Sequence, residues 1–206
     1  MGRQAAGTLP ELAEHVANET GWLVATGTMS GVGSSTGTFS VAQWRADLIA
    51  IMDRIVGDDR RISLAGFGLG GALAVAVAAS DERVRGVATF AAPFDLTRWI
   101  GDPTALRAIV QSAGVVDPEI ALLDPPELAT DILSLDLQAA AAAIPPKRFL
   151  IVHGSDDPEV PVAEARELLA AADGRAELRI IQGGGHWLRA DPRMVATLLG
   201  WLDRHR

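Results

Sequence analysis

The side chains best suited to acid–base chemistry lie in two short segments in the C-terminal part of the chain. Residues 153–161 read His-Gly-Ser-Asp-Asp-Pro-Glu-Val-Pro, and residues 183–187 read Gly-Gly-Gly-His-Trp. Each segment follows an apolar run that is typical of a buried strand. A carboxylate that orients an imidazole lets the imidazole act as a general base. Asp157 and His186 are therefore candidates for such a pair.

A third segment has the spacing of a site but lacks a reactive side chain. Residues 66–71 read Gly-Phe-Gly-Leu-Gly-Gly and stand between an apolar run and a helical run of small residues. A sharp turn from strand to helix is the setting of the nucleophile elbow, Gly-x-Ser-x-Gly, whose flanking residues must be small. Gly68 stands where that serine would be. Taken alone, the segment would equally fit a glycine-rich turn of any α/β protein.

The order of the three segments is elbow, acid, histidine, which is the order of the α/β-hydrolase triad. The chain resembles the α/β-hydrolase superfamily, and within it the small bacterial dienelactone hydrolases and esterases. The loop at 30–39 and the pattern Gly154-x-x-Asp157-x-x-Val160-Pro161 also fit this superfamily. The resemblance extends from about residue 9 to the C-terminus.

This resemblance implies roles for individual residues. His186 would be the general base, and Asp157 would orient the imidazole and stabilise its charged form. The backbone N–H of Leu69 would be an oxyanion donor. Gly68 holds the nucleophile position without a side chain.

Other polar residues are weaker candidates for these roles. Asp156 and Asp95 are alternatives for the acid. His153 is expected to be a residue at a strand end and not a catalyst. Ser63 and Ser155 lie off the elbow, so neither is a natural substitute for the missing serine.

Gly68 leaves three accounts open. The glycine belongs to a pseudo-hydrolase that binds a ligand without turning it over, or it is an inactivating substitution in an ordinary serine hydrolase. In the third account Asp157 and His186 act on a water molecule. Glycine cannot form an acyl-enzyme, and loss of a triad nucleophile costs about 10⁶ in turnover. A small-molecule binding module without catalysis is the non-enzymatic alternative.

A ligand pocket is expected over the carboxyl ends of the strands. Its walls would be largely apolar, which suits a small ester-like or acyl-type ligand. The candidate wall residues are Met29, Phe67, Phe94, Trp99 and Trp187.

Strands and helices are predicted to alternate, which indicates an α/β fold with a mostly parallel sheet flanked by helices. Strands are predicted at 22–26, 61–65, 84–90, 149–153 and 176–182, and helices at 9–20, 41–56, 69–79, 161–172 and 192–204. Residues 94–147 interrupt the alternation and are predicted to form a helical cap insertion after the third strand. Residues 1–206 are expected to form a single domain.

The resemblance also implies that strands normally found before the helix at 9–20 are missing, either because the true start lies upstream or because the fold is trimmed. In a trimmed fold the sheet would lack a strand between those at 22–26 and 61–65. Its absence would expose unpaired strand edges, which proteins usually cover by rearrangement or dimerisation. A homodimer is therefore a possible assembly.

Composition limits the remaining functions. The 206 residues include no cysteine and no tyrosine, and the formal net charge is −8. The acidic balance disfavours nucleic-acid binding, and no apolar run reaches the ~20 residues of a membrane span. We expect a cytoplasmic protein whose partner is a small molecule, with no cofactor and no bound metal.

A dehydrogenase is the main alternative enzyme class. Residues 26–33 match the Thr-Gly-x-x-x-Gly-x-Gly pattern of short-chain dehydrogenases, in which a dinucleotide binds at a helix N-terminus. Those enzymes use a catalytic tyrosine, and this chain has none. The composition therefore excludes that class.

Overall fold

The computed structural model describes residues 8–37, 39–55, 61–100 and 125–204. In these residues one parallel sheet has the strand order β1-β2-β3-β4. The strands are β1 (Ile62–Phe67), β2 (Val84–Phe90), β3 (Arg148–Gly154) and β4 (Glu177–Ile181). The helices are α1 (Leu9–Thr20), α2 (Val41–Ile55), α3 (Leu69–Ser80), α4 (Thr97–Ile100), α5 (Pro125–Leu133), α6 (Leu137–Ala143), α7 (Val162–Ala171) and α8 (Pro192–Asp203). The predicted fold class is confirmed.

Both faces of the sheet are covered, as parallel sheets require. Successive residues of β3 point to opposite faces because side chains alternate along a strand. Phe149 and Ile151 join a core that includes residues of α2, α3, α6 and α7. Leu150 and Val152 join a second core formed with α1 and α8. The sheet is thus the middle layer of three.

Several helices begin or end where local chemistry requires it. Thr8 and Glu11 form a capping box at the start of α1, since each side chain accepts from the backbone N–H of the other. The carboxylate of Asp131 accepts from the amides of Val41 and Ala42 at the start of α2. At the end of α3 the ammonium of Lys147 donates to the carbonyls of Ala78 and Asp81. Such charges satisfy helix-end groups that lack partners within the helix.

The strand predicted at 22–26 is wrong. These residues form no strand in the structure, and Leu23 is 67% exposed. The run has the apolar character of a buried strand, but a strand also needs a neighbour to exchange hydrogen bonds with. The outer edge of β1 pairs with no strand in the described part of the chain, so no ladder reaches this run. The homodimer stays a prediction.

The described parts of residues 94–147 contain helices joined by turns. They form α4, α5 and α6, and the described portions contain no strand. Ile132 and Leu137 are buried, and α6 packs against α3 and α7 in the layer below the sheet. Residues 101–124, in the middle of the predicted cap, lie outside the described residues. The cap and the single-domain boundary therefore stay predictions.

Two surface properties of the described ranges complete the fold. None of their helices is both long enough and apolar enough to cross a membrane. An open hollow lined by residues 18–22, at the end of α1, contains none of the predicted ligand-contacting residues.

Candidate active site

The candidate side chains lie on loops that leave the carboxyl ends of the four strands. Gly68 follows β1, Phe94 follows β2, Asp157 follows β3 and His186 follows β4. The carboxyl ends of parallel strands meet at one edge of the sheet, which is where open α/β sheets bind ligands. The fold therefore brings together residues that are far apart in the sequence.

The turn between β1 and α3 has the backbone of a sharp elbow. Gly68 has φ 53° and ψ −129°, a conformation that L-residues adopt only under strain. Its N–H donates to the carbonyl of Phe90, and its own carbonyl accepts from Gly71. A Cβ placed on Gly66 would lie 2.2 Å from the carbonyl oxygen of Gly70. The turn thus closes only because small residues flank its centre.

The centre of the elbow has room for a side chain. A Cβ placed on Gly68 would lie 3.7 Å from Nε2 of His186 and would meet no other residue within 4 Å beyond its chain neighbours. This is ordinary van der Waals contact. A hydroxyl group carried on that Cβ would be next to the imidazole.

The side chain of Asp157 is fully buried, and its carboxylate contacts four polar groups. Its Oδ2 lies 2.9 Å from Nδ1 of His186 and 3.3 Å from Nε2 of His153, and its Oδ1 accepts from the amides of Glu159 and Val160 at 2.8 and 2.9 Å. Burial by itself would raise the pKa of Asp157. The hydrogen bonds from the two imidazoles and the Val160 amide outweigh burial and hold the pKa well below its usual range. The residue is therefore an ionised acceptor at neutral pH.

His186 lies between this acid and the elbow, with 11% of its side chain exposed. Burial lowers the pKa of His186, but the hydrogen bond to Asp157 and the charges of Asp157 and Glu159 raise it more. The net direction is upward. The ring of Trp187 stands perpendicular to the imidazole with centroids 5.6 Å apart.

His153 has a role that its sequence position did not reveal. It does lie near the end of β3, as expected, but its buried ring also contacts the acid. Nε2 lies 2.9 Å from the carbonyl oxygen of Val160 and 3.3 Å from Oδ2 of Asp157, while the buried Nδ1 has no hydrogen-bond partner among the described atoms. Nε2 must carry the proton in order to donate to these two acceptors. The only sequence signal was its spacing of four residues from Asp157.

The two alternative acids have other partners. Asp156 accepts from the hydroxyl of Ser155. Asp95 accepts from Thr97 and forms an ion pair with Arg98 at 2.9 Å. The carboxylate that the structure places on Nδ1 of His186 is that of Asp157.

The remaining predicted residues surround this pair less closely. Leu69 is the first residue of α3, so its N–H has no carbonyl one turn earlier to bind. Phe67 stacks on Phe90 with ring centroids 4.6 Å apart. Met29 and Phe94 are partly buried against the core that includes residues of α2, α3, α6 and α7. Trp187 is 45% exposed. Trp99 belongs to α4, but its side chain lies outside the described residues. Their roles stay predictions.

The same fold occurs in many solved structures. A monoacylglycerol lipase from Paleococcus ferrophilus has a TM-score of 0.69 and 17% identity, covering 95% of this chain and 88% of its own. A bromoperoxidase from Bacillus anthracis has a TM-score of 0.68 and 18% identity, covering 98% and 89%. The α/β hydrolase domain-containing protein 10 from mouse has a TM-score of 0.61 and 23% identity, covering 86% and 76%. At these identities the likeness shows the fold alone.

The model of the prolyl oligopeptidase family matches residues 36–206, so the chain belongs to that family. Together with the shared fold, this match confirms the predicted α/β-hydrolase superfamily. Among curated proteins no significant match is found.

Proposed function

We propose that this protein is an α/β-hydrolase scaffold that keeps the acid–base pair and binds its ligand, but does not form an acyl-enzyme. One observation carries the proposal. A Cβ on Gly68 would lie 3.7 Å from Nε2 of His186, while Asp157 binds the opposite nitrogen at 2.9 Å. This geometry supports position 68 as the place of a nucleophile, for which glycine supplies no atom.

Covalent catalysis at this position needs an atom that glycine lacks. A serine oxygen would attack a carbonyl carbon, and His186 would take the serine proton. Without that oxygen, what remains is binding, the orientation of the ligand and the oxyanion donors. Enzymes that have lost triad members keep only a small residual rate from these sources.

The ligand we propose is a small apolar ester or acyl compound. Phe67, Phe94 and Trp187 are at or near the strand ends that carry the site, and aromatic walls with few polar groups suit such molecules. One structurally similar protein is named a monoacylglycerol lipase, which supports an ester. The family's name points to peptides, so a peptide anilide belongs among the test substrates.

The test restores the missing atom. Gly68→Ser is compared with the parent and with Gly68→Ala, which adds the same Cβ without the oxygen. Short p-nitrophenyl esters and a peptide p-nitroanilide are the substrates. We expect Gly68→Ser alone to gain activity, by about 10³-fold or more in kcat/KM, and to be labelled covalently by a fluorophosphonate. His186→Ala in the Gly68→Ser background should remove the gain.

Two outcomes would overturn the proposal. If the parent already hydrolyses these substrates and His186→Ala abolishes that activity, the pair acts on water and the protein is an enzyme. If Gly68→Ser stays folded but is neither active nor labelled, the site is not a dormant hydrolase centre.

A further inference from the structure

Glu159 brings a second carboxylate to His186, on the side that faces the elbow. Its Oε2 lies 3.7 Å from Nε2 of His186. The same nitrogen lies 3.7 Å from the Cβ position of Gly68. On the other side of the ring, Oδ2 of Asp157 lies 2.9 Å from Nδ1. The imidazole therefore has a carboxylate oxygen near each of its nitrogens.

We propose that Glu159 is a positioning residue of this site, and that its carboxylate forms an ion pair with the charged ring of His186 at Nε2, which favours the protonated form of the ring. The Oε2–Nε2 distance of 3.7 Å is too long for a hydrogen bond but is within the range of an ion pair. The hydrogen bond between Nδ1 and Asp157 is compatible with a neutral or a charged ring. A negative charge near Nε2 lowers the free energy of the charged ring relative to the neutral ring.

The backbone of the acid loop explains why Glu159 stands there. The amide of Glu159 donates to Oδ1 of Asp157 at 2.8 Å, and the next amide, of Val160, donates to the same atom at 2.9 Å. The acid thus fixes the backbone of the residue that carries the second carboxylate. Val160 is buried, whereas the Glu159 side chain is 40% exposed and reaches the ring from the solvent side.

The other described groups around the imidazole of His186 do not supply a second negative charge near Nε2. Gly68 contributes no side chain from the elbow. His153 touches Asp157, on the opposite side from Glu159. The guanidinium of Arg189 lies over the ring of Trp187 at 5.2 Å. Burial lowers the pKa of His186, whereas the hydrogen bond to Asp157 and the charges of Asp157 and Glu159 raise it above its ordinary value, which is the direction expected for an ion pair at Nε2.

The consequence concerns how the site meets a ligand. Glu159 would stabilise the charged ring that forms when His186 takes a proton, and in that state Nε2 would donate a hydrogen bond to a ligand oxygen. This inference stands apart from the proposed function, since it concerns the ring of the unaltered protein and needs no turnover.

The experiment measures the pKa of His186 by ¹H–¹⁵N NMR in the parent and in Glu159→Gln. The substitution removes the negative charge of the side chain but keeps the backbone N–H that donates to Asp157. Glu177→Gln is the matched control, because Glu177 begins β4 at the opposite end of the strand that leads to His186. His186→Asn identifies the signal among the four histidines.

We expect Glu159→Gln to lower the pKa of His186 by about 0.5 unit, the size of an exposed ion pair, and Glu177→Gln to change it by less than about 0.1. Glu159→Lys should lower it further. In 1 M salt the difference between parent and Glu159→Gln should shrink, because the Debye length falls to about 3 Å. An unchanged or raised pKa in both Glu159 variants would overturn the proposal. Failure of Gly68→Ser to gain esterase activity would leave it untouched.

Discussion

The elbow and the acid–base loops differ in what each would contribute to the proposed hydrolase-like site. At the elbow the backbone is complete: Gly68 has the strained φ and ψ of the turn, and its N–H binds the carbonyl of Phe90. The side chain is absent. In the loops after β3 and β4 the side chains are complete, and Asp157 binds His186 at 2.9 Å. The backbone turn is thus found at the elbow, and the acid and base side chains are found in the loops after β3 and β4.

Packing does not explain why position 68 has no side chain, as a comparison of Gly66 and Gly68 shows. A Cβ on Gly66 would meet backbone atoms at 2.2 Å, so no other residue fits there. A Cβ on Gly68 would touch only His186, at an ordinary 3.7 Å. The surroundings require glycine at position 66. At position 68 they only permit it, since the positive φ suits glycine.

The largest expected effect tests whether the acid–base loops still serve the elbow. In the Gly68→Ser background, Asp157→Asn should reduce kcat by about 10⁴, because an amide favours the wrong imidazole tautomer. Steady-state ester hydrolysis measures this. A loss below about tenfold would mean that the two regions no longer work together, and the comparison would fail.

The second prediction sharpens the contrast between the two glycines. Gly66→Ala should lower the free energy of unfolding by about 3 kcal/mol or more, because backbone atoms must move to admit the methyl group. Gly68→Ala should cost only about 1–3 kcal/mol, because an L-residue is strained at the backbone angles of this position. Urea denaturation of both variants and the parent gives the comparison. Equal losses would show that packing also dictates position 68.

The third prediction concerns the buried end of the acid–base region. His153→Leu should lower the free energy of unfolding by about 1–3 kcal/mol, because it leaves the carbonyl of Val160 without its donor. His15→Leu, at an exposed position of α1, is the control and should change stability by less than about 0.5 kcal/mol. If the two variants are equally stable, His153 does not support Asp157.

The smallest expected effect is a pH dependence of stability. The lowered pKa of Asp157 gives stability that is present above its unfolded value of about 3.9 and is lost as the pH falls. The raised pKa of His186 gives stability that is full below its unfolded value of about 6.5 and is lost as the pH rises through the folded value.

The difference in unfolding free energy between the parent and Asp157→Asn should therefore be greatest between about pH 4 and 6.5. Each unit of pKa shift corresponds to about 1.4 kcal/mol. Denaturation at a series of pH values measures the curve. If this difference in unfolding free energy is constant from pH 4 to 9, Asp157 and His186 are not coupled energetically, although they are in contact.

The sequence predicted the features that depend on local pattern. Apolar runs located β1 to β4. The segments that follow β3 and β4 predicted Asp157 and His186, which the structure brings into contact. The predicted strand at 22–26 failed because pairing depends on a neighbour, which an apolar run cannot report. The contacts of His153 and Glu159 were not predicted, since they depend on how the loop after β3 folds around Asp157, and for His153 the spacing of four residues from Asp157 was the only signal.

The position of Lys147 has a practical consequence for following this protein in solution. It is the only lysine of the chain, and its ammonium is held by two carbonyls at the end of α3. A reagent that acylates free amines should reach this side chain slowly while α3 is docked and quickly once the helix end opens. The rate of labelling at a single residue thus reports the opening of the helix that begins at the elbow.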